Sequence, residues 1–177
     1  MSHKRDYYLK VIILGESAVG KTSLVLRFVS NRFMEDYRST IGTNIYMKEI
    51  RLSNGHIYNL NLWDIAGQER WARMRHKYYK GGQGAIIVGD LTRPPTFAQI
   101  RDFWIPDLRK FLSDIPILLV GNKSDLDQTI NDKEIEDLKE EIGAMHKIIT
   151  SAKTGENVET AFKMLTREIT KENEKEN

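Results

Sequence analysis

Short apolar segments alternate with longer amphipathic segments along most of this 177-residue chain. Segments 84–90 and 116–121 are apolar on both faces, which is typical of strands buried between two layers of helices. Asn54-Gly55 separates two other strand-like segments and predicts a tight hairpin, so those two strands should pair antiparallel. The predicted strands are 9–14, 41–52, 57–63, 84–90, 116–121 and 147–150, and the predicted helices are 20–30, 69–79, 97–112, 132–142 and 157–171.

This order of elements predicts an α/β fold: a six-stranded, mostly parallel sheet with one antiparallel strand and with helices on both faces. Right-handed crossovers would bring the loops that follow the parallel strands to one edge of the sheet, where such folds bind ligands. We expect a single domain over residues 7–170, preceded by a flexible segment at 1–6 and followed by a polar, flexible tail at 171–177.

Composition narrows the possible functions. Hydrophobic residues make up 40% of the chain and charged residues 29%, values ordinary for a soluble globular protein. The net charge of +2 is too small to favour nucleic acid as a partner. The chain has no cysteine, which excludes a disulfide framework and thiol-bound metal. Neither a secretory signal nor a bilayer-spanning apolar run is present, so we expect a cytoplasmic protein.

The phosphate-binding loop pattern G-x-x-x-x-G-K-[ST] is matched by residues 15–22, GESAVGKT. The loop follows an apolar strand and leads into a helix, so free backbone N–H groups and the positive end of the helix dipole should converge on one point. Such a nest binds phosphate. Lys21 would add a charge near the outer phosphates, and the Thr22 hydroxyl suits Mg²⁺. These features predict that the chain binds a nucleoside triphosphate.

A second motif, residues 63–69 (WDIAGQE), follows the third strand. Asp64 at the strand end could hold Mg²⁺ through water, although it could also simply cap a helix. Gly67 would let a backbone N–H approach a terminal phosphate, and Gln68 could orient an attacking water. The hydroxyl of Thr40, between the first helix and second strand, could complete the Mg²⁺ shell when a γ-phosphate is present.

Residues 122–125, NKSD, follow the buried strand 116–121 and point to guanine. A carboxylate at Asp125 can accept hydrogen bonds from both N1–H and N2–H₂ of guanine, whereas adenine offers no such pair of donors. The stem of Lys123 can pack along the base, and the backbone N–H of Ala152 could meet guanine O6. In isolation the same residues also fit a polar turn. Phe33 could cover the base edge-on or could be a core anchor.

The motifs GESAVGKT, Thr40, WDIAGQE, NKSD and SAK, in this order and spacing, resemble the Ras superfamily of small GTPases over about residues 7–170. Within it the chain is most similar to the Rab branch. The resemblance implies a P-loop NTPase fold, the Ras-like G domain. It also implies that GTP or GDP is bound by Ser17, Ala18, Val19, Gly20, Lys21, Thr22, Ser23, Phe33, Tyr37, Thr40, Gly67, Asn122, Lys123, Asp125, Ser151, Ala152 and Lys153.

The resemblance further implies a mechanism. Thr22 and Thr40 would ligate Mg²⁺ directly and Asp64 through water, while Gln68 and Lys21 would carry catalysis. Loops 33–43 and 65–80 would be switches that contact a GTPase-activating protein, an exchange factor and effectors. We expect a monomer that hydrolyses GTP slowly and regulates partner binding of the vesicle-traffic type. The alternatives are a guanine-nucleotide-binding scaffold that does not cycle, and an ATP-dependent kinase or ATPase, which Asp125 disfavours.

Some positions depart from the Rab pattern. No cysteine is available for the prenylation usual in this branch, so either the natural chain continues beyond Asn177 or the protein has no lipid anchor. A longer tail or a partner would then recruit it to the periphery of membranes. Ile65 replaces the usual Thr. In the aromatic triad that effectors often contact, Trp63 and Tyr78 are retained but Ile45 replaces Phe, which leaves the choice of effector open.

Overall fold

The structure is a computed structural model that describes residues 7–35 and 38–175, with side chains described as far as residue 171. The strands are β1 (Tyr7–Leu14), β2 (Thr43–Arg51), β3 (Ile57–Ile65), β4 (Gly84–Asp90), β5 (Ile117–Asn122) and β6 (His146–Ile149). The helices are α1 (Lys21–Ser30), α2 (Ala72–Tyr79) preceded by a 3₁₀ turn (Glu69–Trp71), α3 (Pro95–Gln99), a π-helical segment (Ile100–Trp104), α4 (Ile105–Arg109), α5 (Asp132–Ile142) and α6 (Val158–Lys175).

The strands form one sheet in the order β2-β3-β1-β4-β5-β6. All neighbouring pairs are parallel except β2 and β3, which pair antiparallel from Thr43 opposite Ile65 to Arg51 opposite Ile57. Gly55 turns the chain between them with a φ of 82°, a value that glycine adopts readily. The predicted fold class and the predicted hairpin are therefore confirmed.

Two separate cores lie on opposite faces of the sheet, because side chains alternate along each strand. In β1, Val11 and Ile13 face a core formed with α1 and α6, whereas Ile12 and Leu14 face a core formed with α2, α5 and the helical segment over residues 95–109. Helices therefore cover both faces, as the apolar strands predicted. Within the part of the chain that the structure describes, no helix has the length and apolar character needed to cross a membrane.

The helix predicted over 97–112 differs from the observed one. The observed helical segment begins at Pro95, since proline is accepted in a first helical turn, and it ends at Arg109. Its middle turn widens to a π-helix over Ile100–Trp104. Pro106 lies two residues after this segment, and because proline has no N–H and would clash with the carbonyl four residues before it, a wider turn there relieves the conflict.

The last helix also differs from its prediction. It continues to Lys175 instead of ending at residue 171, so the first residues of the predicted tail are helical. Lys and Glu dominate this segment, both are good helix formers, and no glycine or proline interrupts them.

Candidate functional site

Loops at the carboxyl edge of the sheet enclose a cleft of about 420 Å³. They come from the segments 17–23, 33–35, 38–40, 66–68, 122–126 and 152–153. Most of these segments follow β1, β3, β5 or β6, which belong to one set of parallel strands and end at the same edge. Residues 33–35 and 38–40 instead precede β2, which is antiparallel and therefore begins at that edge. The lining includes the sequence-predicted residues Ser17, Ala18, Gly20, Lys21, Thr22, Ser23, Phe33, Thr40, Gly67, Gln68, Asn122, Lys123, Asp125, Ala152 and Lys153.

Three other predicted residues that the structure describes do not line the cleft. Val19 and Ser151 are buried behind it, and Asp64 lies buried directly under the Thr22 hydroxyl. Tyr37 lies outside the described residues. The structure therefore places Val19, Ser151 and Asp64 next to the cleft as supports for the residues that form its wall.

The loop over residues 15–22 has the backbone shape that its glycines predicted. Gly20 adopts a φ of 100°, and a Cβ there would lie 2.3 Å from the Asn122 side-chain nitrogen. Ala18 is also in the left-handed region, at a φ of 63°. Since α1 begins at Lys21 and Gly20 has no side chain to cap it, the first N–H groups of the helix remain free for an anion in the cleft.

Lys21 is buried at the base of this loop. Its ammonium donates to the carbonyl oxygens of Gly15 at 2.8 Å and Glu16 at 2.7 Å. Burial lowers the pKa of Lys21 to about 8, and the nearby charges of Asp64 and Glu16 oppose that shift only partly. A phosphate in the cleft would supply the additional negative charge that favours the protonated amine.

Two hydroxyls and a carboxylate meet at one point of the cleft. The Thr22 and Thr40 hydroxyl oxygens lie 2.8 Å apart, and Thr22 Oγ1 donates to Asp64 Oδ2 at 2.5 Å. Asp64 is fully buried, and its Oδ1 has no hydrogen-bond partner among the described residues. Burial raises the pKa of Asp64, against the hydrogen bond from Thr22 and the charge of Lys21.

These oxygen atoms fit Mg²⁺. Mg²⁺ prefers oxygen ligands and commonly takes one carboxylate, several waters and phosphate oxygens, so a site with a single acidic residue suffices. The described residues contain no cluster of three or more acidic, histidine or cysteine side chains that could form an all-protein metal site. The two threonines and Asp64 can therefore hold Mg²⁺ only together with a ligand that brings its own oxygen atoms.

The Asn122 side chain ties three loops together. Its Nδ2 donates to Val19 O at 3.0 Å, while its Oδ1 accepts from Thr150 Oγ1 at 3.0 Å and from Ala152 N at 3.2 Å. Asn122 is only 1% exposed. Its amide thus holds the phosphate-binding loop against the loop after β6, and the Ala152 N–H expected to meet guanine O6 is hydrogen-bonded to Asn122 in this structure.

The two charged residues of the NKSD motif, Lys123 and Asp125, differ in their surroundings. Lys123 Nζ donates to Ala18 O at 2.9 Å and pairs with Asp90 at 2.7 Å, so its stem crosses the cleft wall. Asp125 accepts a hydrogen bond from Ser151 Oγ at 2.6 Å and lines the cleft. Ser151 therefore orients the carboxylate that the sequence assigned to guanine.

Three residues of the site were missed by the sequence analysis. Asp90 at the end of β4 is fully buried and accepts from Lys123, Thr92 and Arg93. Burial alone would raise the pKa of Asp90, but these hydrogen bonds outweigh it and lower the pKa below its usual range. The position of Asp90 at the end of a buried strand was the available signal.

The other two missed residues are arginines that brace loops. Arg93 donates to Ser17 O at 2.9 Å, and Arg27 in α1 donates to Ala152 O at 2.8 Å and also to Lys153 O. Both contacts join positions far apart in the chain, and no local motif indicated either of them.

Parts of both predicted switch loops line the cleft, namely residues 33–35 and 38–40 of the first and residues 66–68 of the second. Gly67 approaches the phosphate-binding loop so closely that a Cβ there would lie 2.5 Å from Gly15 O. Phe33 lines the cleft and also packs against the core next to α1, so both roles considered for it are compatible with its place. The rings of Trp63 and Tyr78 lie 6.1 Å apart on the neighbouring surface.

Comparisons with known proteins agree with this geometry. The model of the Ras family matches residues 10–171. The chain is 39% identical to the Ras-related protein Rab-1 of Theileria parva, over 93% of this chain and 75% of that protein. It is 32% identical to the Ypt/Rab-type GTPase YPT7 of Saccharomyces cerevisiae, over 98% and 87% respectively. It is 40% identical to the Ras-related protein Rab-21 of Geodia cydonium, over 93% and 72%.

The family match spans most of the chain, and each of these relatives exceeds 30% identity. Members of this family bind GTP or GDP with Mg²⁺ and act with regulators and effectors. The relatives support a cycling switch and give no support to a scaffold that holds nucleotide without cycling. The chain therefore belongs to the Ras family, as a small GTP-binding switch protein of the Rab type that hydrolyses GTP.

Proposed function

We propose that the cleft described above is the guanine-nucleotide site of this GTPase, formed within a G domain over residues 7–170. The observation that carries the proposal is the convergence of Lys21 and Asp125 on one cleft, although they lie on different strand-to-helix loops. Lys21 supplies a buried positive charge for phosphates, and Asp125 supplies a carboxylate suited to guanine. A nucleotide could contact both ends only by lying along the cleft.

The phosphates would be held by the backbone of residues 17–22 and by Lys21, with Ser23 beside them in the first turn of α1. Thr22 and Thr40 would ligate Mg²⁺ directly, and Asp64 through water. When bound, Mg²⁺ neutralises charge that develops on the phosphate oxygens. The unpaired Oδ1 of Asp64 supports this assignment, because a buried carboxylate oxygen without a donor is costly unless a cation or water satisfies it.

The guanine would be recognised at the opposite end of the cleft. Asp125, oriented by Ser151, would accept from the base, while Lys123 and Lys153 would border it together with the backbone of Ala152. Phe33 and Tyr37 would flank the nucleotide, and Val19 would contribute its backbone. The hydrogen bonds of Asn122 support a positioning role, because this residue fixes the loops that carry the other contacts.

Hydrolysis would depend on Gln68, which lines the cleft next to Gly67 and could orient an attacking water. We further propose that the chain is a monomer that acts in the cytoplasm and at the periphery of membranes, to which a partner recruits it. Loops 33–43 and 65–80 would carry the contacts with activating protein, exchange factor and effectors. Ile45, 52% exposed where the Rab aromatic triad has Phe, supports a distinct effector preference in vesicle traffic.

Nucleotide identification on the purified protein tests this proposal. We expect bound GDP or GTP in the parent protein and a marked guanine preference in competition with ATP. Asp125→Asn should lose that preference, because an amide offers guanine one donor in place of a second acceptor. Asp127→Asn, a nearby exposed aspartate outside the cleft, is the matched control and should bind as the parent does. Equal binding of ATP and GTP by the parent would contradict the proposal.

A further inference from the structure

The loop that follows β6 is closed at its ends by its own backbone. Ser151 N donates to Glu156 O at 3.1 Å, and Gly155 N donates to Ser151 O at 2.8 Å. Between these contacts, Ala152 and Lys153 line the nucleotide cleft. The ends of the loop are thus fixed by the loop itself, whereas the carbonyl groups of Ala152 and Lys153 depend on contacts with another segment.

Arg27, a half-buried residue of α1, supplies that contact. Its Nε donates to Ala152 O at 2.8 Å, and its Nη2 donates to Lys153 O. Two N–H groups of one planar guanidinium thus bind two consecutive carbonyl oxygens, a geometry that the single ammonium of a lysine does not reproduce. No other donor in the described part of the chain reaches either oxygen atom.

The guanidinium of Arg27 is also held from its other side. Its Nη1 donates to Asn31 O at 3.3 Å and to Asn31 Oδ1 at 3.0 Å, just after the end of α1. The Arg27 stem passes beside Gly155, where an added Cβ would lie 3.7 Å from Arg27 Cδ. Arg27 therefore fastens the loop after β6 to α1, the helix whose first residues line the phosphate end of the cleft.

We propose that Arg27 is a positioning residue for guanine recognition, an inference that rests on the proposed nucleotide site. Ala152 is held through both of its peptide groups, because Asn122 Oδ1 accepts from its N–H at 3.2 Å and Arg27 donates to its C=O. The direction of that N–H decides whether it can also donate to guanine O6. Arg27 does not line the cleft, so it acts on the base only through Ala152.

The effect of Arg27 should be confined to one part of the base. Hydrogen bonds weaken steeply when the donor points away from the acceptor, so a loop released from Arg27 would bind O6 less well. The carboxylate of Asp125, assigned to N1–H and N2–H₂ of guanine, is oriented by Ser151 at the closed end of the loop. Removal of Arg27 should therefore weaken recognition of O6 and leave recognition of the 2-amino group unchanged.

Three nucleoside diphosphates distinguish these two contacts: GDP, 6-thio-GDP and IDP. The base of 6-thio-GDP keeps N1–H and the 2-amino group but carries sulfur, a weak acceptor, in place of O6. The base of IDP keeps O6 and lacks the 2-amino group. Competition of each with a fluorescent guanine nucleotide, on the full chain with Mg²⁺, measures the affinities. We expect the parent to bind 6-thio-GDP about tenfold or more weakly than GDP.

Arg27→Met removes the fork of donors while keeping an unbranched side chain. We expect it to weaken GDP binding about tenfold and to reduce the preference for GDP over 6-thio-GDP to about threefold or less. The preference for GDP over IDP should stay as in the parent. Arg32→Met, which removes an exposed arginine just beyond the same helix, is the matched control and should bind all three nucleotides as the parent does.

An equal loss of affinity for all three nucleotides in Arg27→Met would show a merely structural role and would overturn the proposal. An unchanged preference for GDP over 6-thio-GDP in that variant, or no such preference in the parent, would overturn it as well. The proposed function is tested separately, because it fails only if the parent does not prefer guanine nucleotides to ATP.

Arg27→Lys provides a second variant in case Arg27→Met does not fold. It keeps the charge and a long stem but offers one ammonium for two carbonyl oxygens, so its preference for GDP over 6-thio-GDP should lie between those of Arg27→Met and the parent. A preference equal to that of the parent would overturn the assignment of the bidentate contact as the feature that positions Ala152.

Discussion

Lys21 and Asp64 carry opposite charges in the same buried region, and burial disfavours the charged form of both. It lowers the pKa of Lys21 to about 8 and raises the pKa of Asp64. A phosphate beside Lys21 and a cation beside Asp64 would each restore the charged form. The residues of the site are therefore poised for a ligand that brings both signs of charge, as a nucleotide with Mg²⁺ does.

Nucleotide affinity should consequently fall as pH rises through about 8. Protonated Lys21 favours phosphate, and the free protein loses that proton near its lowered pKa of about 8. Titration of Mg²⁺–GDP binding between pH 7 and 9.5 measures the effect. We expect Lys21→Met to bind Mg²⁺–GDP more weakly at every pH and to lack the fall in affinity near pH 8. Ionisation of the guanine base affects the parent and the variant equally, so it does not account for a difference between them. A parent affinity that is flat over this range would contradict the prediction.

Stability of the nucleotide-free protein should show the opposite pH dependence. The unfolded chain keeps Lys21 protonated up to the ordinary pKa of 10.5, so between about 8 and 10.5 it binds more protons than the folded protein. The free energy of unfolding should therefore rise with pH in that window, by up to about 3 kcal/mol. Denaturant titrations of the parent and of Lys21→Met measure this, and the rise should be absent from the variant.

Which residues could be predicted depended on how local their signal was. Lys21, Thr22 and Asp125 belong to short motifs with a fixed spacing, and all three line the cleft. Arg27 and Arg93 gave no such signal, because their contacts with Lys153 and Ser17 join residues 126 and 76 positions apart. Sequence reasoning identified groups suited to the ligand, while the groups that hold the loops in place required the folded chain.

At the scale of elements, the site is built by loops that side-chain hydrogen bonds and an ion pair hold together. Asn122 at the end of β5 joins the phosphate-binding loop to the loop after β6, and Lys123 joins it to the end of β4 through Asp90. The glycine at position 20 permits this, because a side chain there would collide with Asn122. These contacts between the loops form without ligand, and they therefore contribute to the stability of the protein itself.

Substituting Asn122 should therefore affect folding as well as binding. Asn122→Ala leaves the Val19 carbonyl and the Thr150 hydroxyl without their partner, and should lower the free energy of unfolding of the nucleotide-free protein by about 2–3 kcal/mol. Asp125→Ala should lower guanine affinity with a much smaller loss of stability, because Asp125 is exposed. Denaturant titration without nucleotide separates the two. Equal stability of the two variants would mean that the hydrogen bonds of Asn122 between the loops do not stabilise the folded protein.

Elements themselves were predicted well where the hydrophobic pattern was strong. The apolar segment 84–90 became β4 with the same bounds, and the helix predicted at 132–142 became α5. A capping box at Asn131 and Glu134 fixes the start of α5. The π turn at Ile100–Trp104 was not predicted, because the helical pattern continues through it and only Pro106 hinted at a distortion.

At the scale of the whole molecule, the arginines near the nucleotide cleft are mostly engaged in structure. Arg27 and Arg93 brace loops, and Arg75 is buried against the rings of Phe103 and Trp104. Arg38 lines the cleft, at the loop expected to be a switch. Phosphoryl transfer depends on positioning and on charge neutralisation, and a missing arginine lowers the rate by several orders of magnitude.

We therefore expect hydrolysis by the purified protein to be slow, at roughly 10⁻⁴ to 10⁻³ s⁻¹, judged from unassisted enzymes of this type. Single-turnover hydrolysis of bound GTP measures it. Gln68→Leu should slow it further while nucleotide affinity changes little, because Gln68 would act on the water rather than on the nucleotide. Arg38→Ala should leave the slow rate unchanged if no arginine of this chain acts in the reaction.

A rate near 1 s⁻¹ that falls in Arg38→Ala would instead make Arg38 the catalytic cation and would remove the need for one supplied by an activating protein. Rates identical in the parent and in Gln68→Leu would exclude Gln68 from the reaction. With the expected slow rate, the bound γ-phosphate persists for tens of minutes or more. The loops at 33–43 and 65–80 would then hold their GTP-dependent arrangement long enough for partners to bind, and the arginine supplied by an activating protein would set when that arrangement ends.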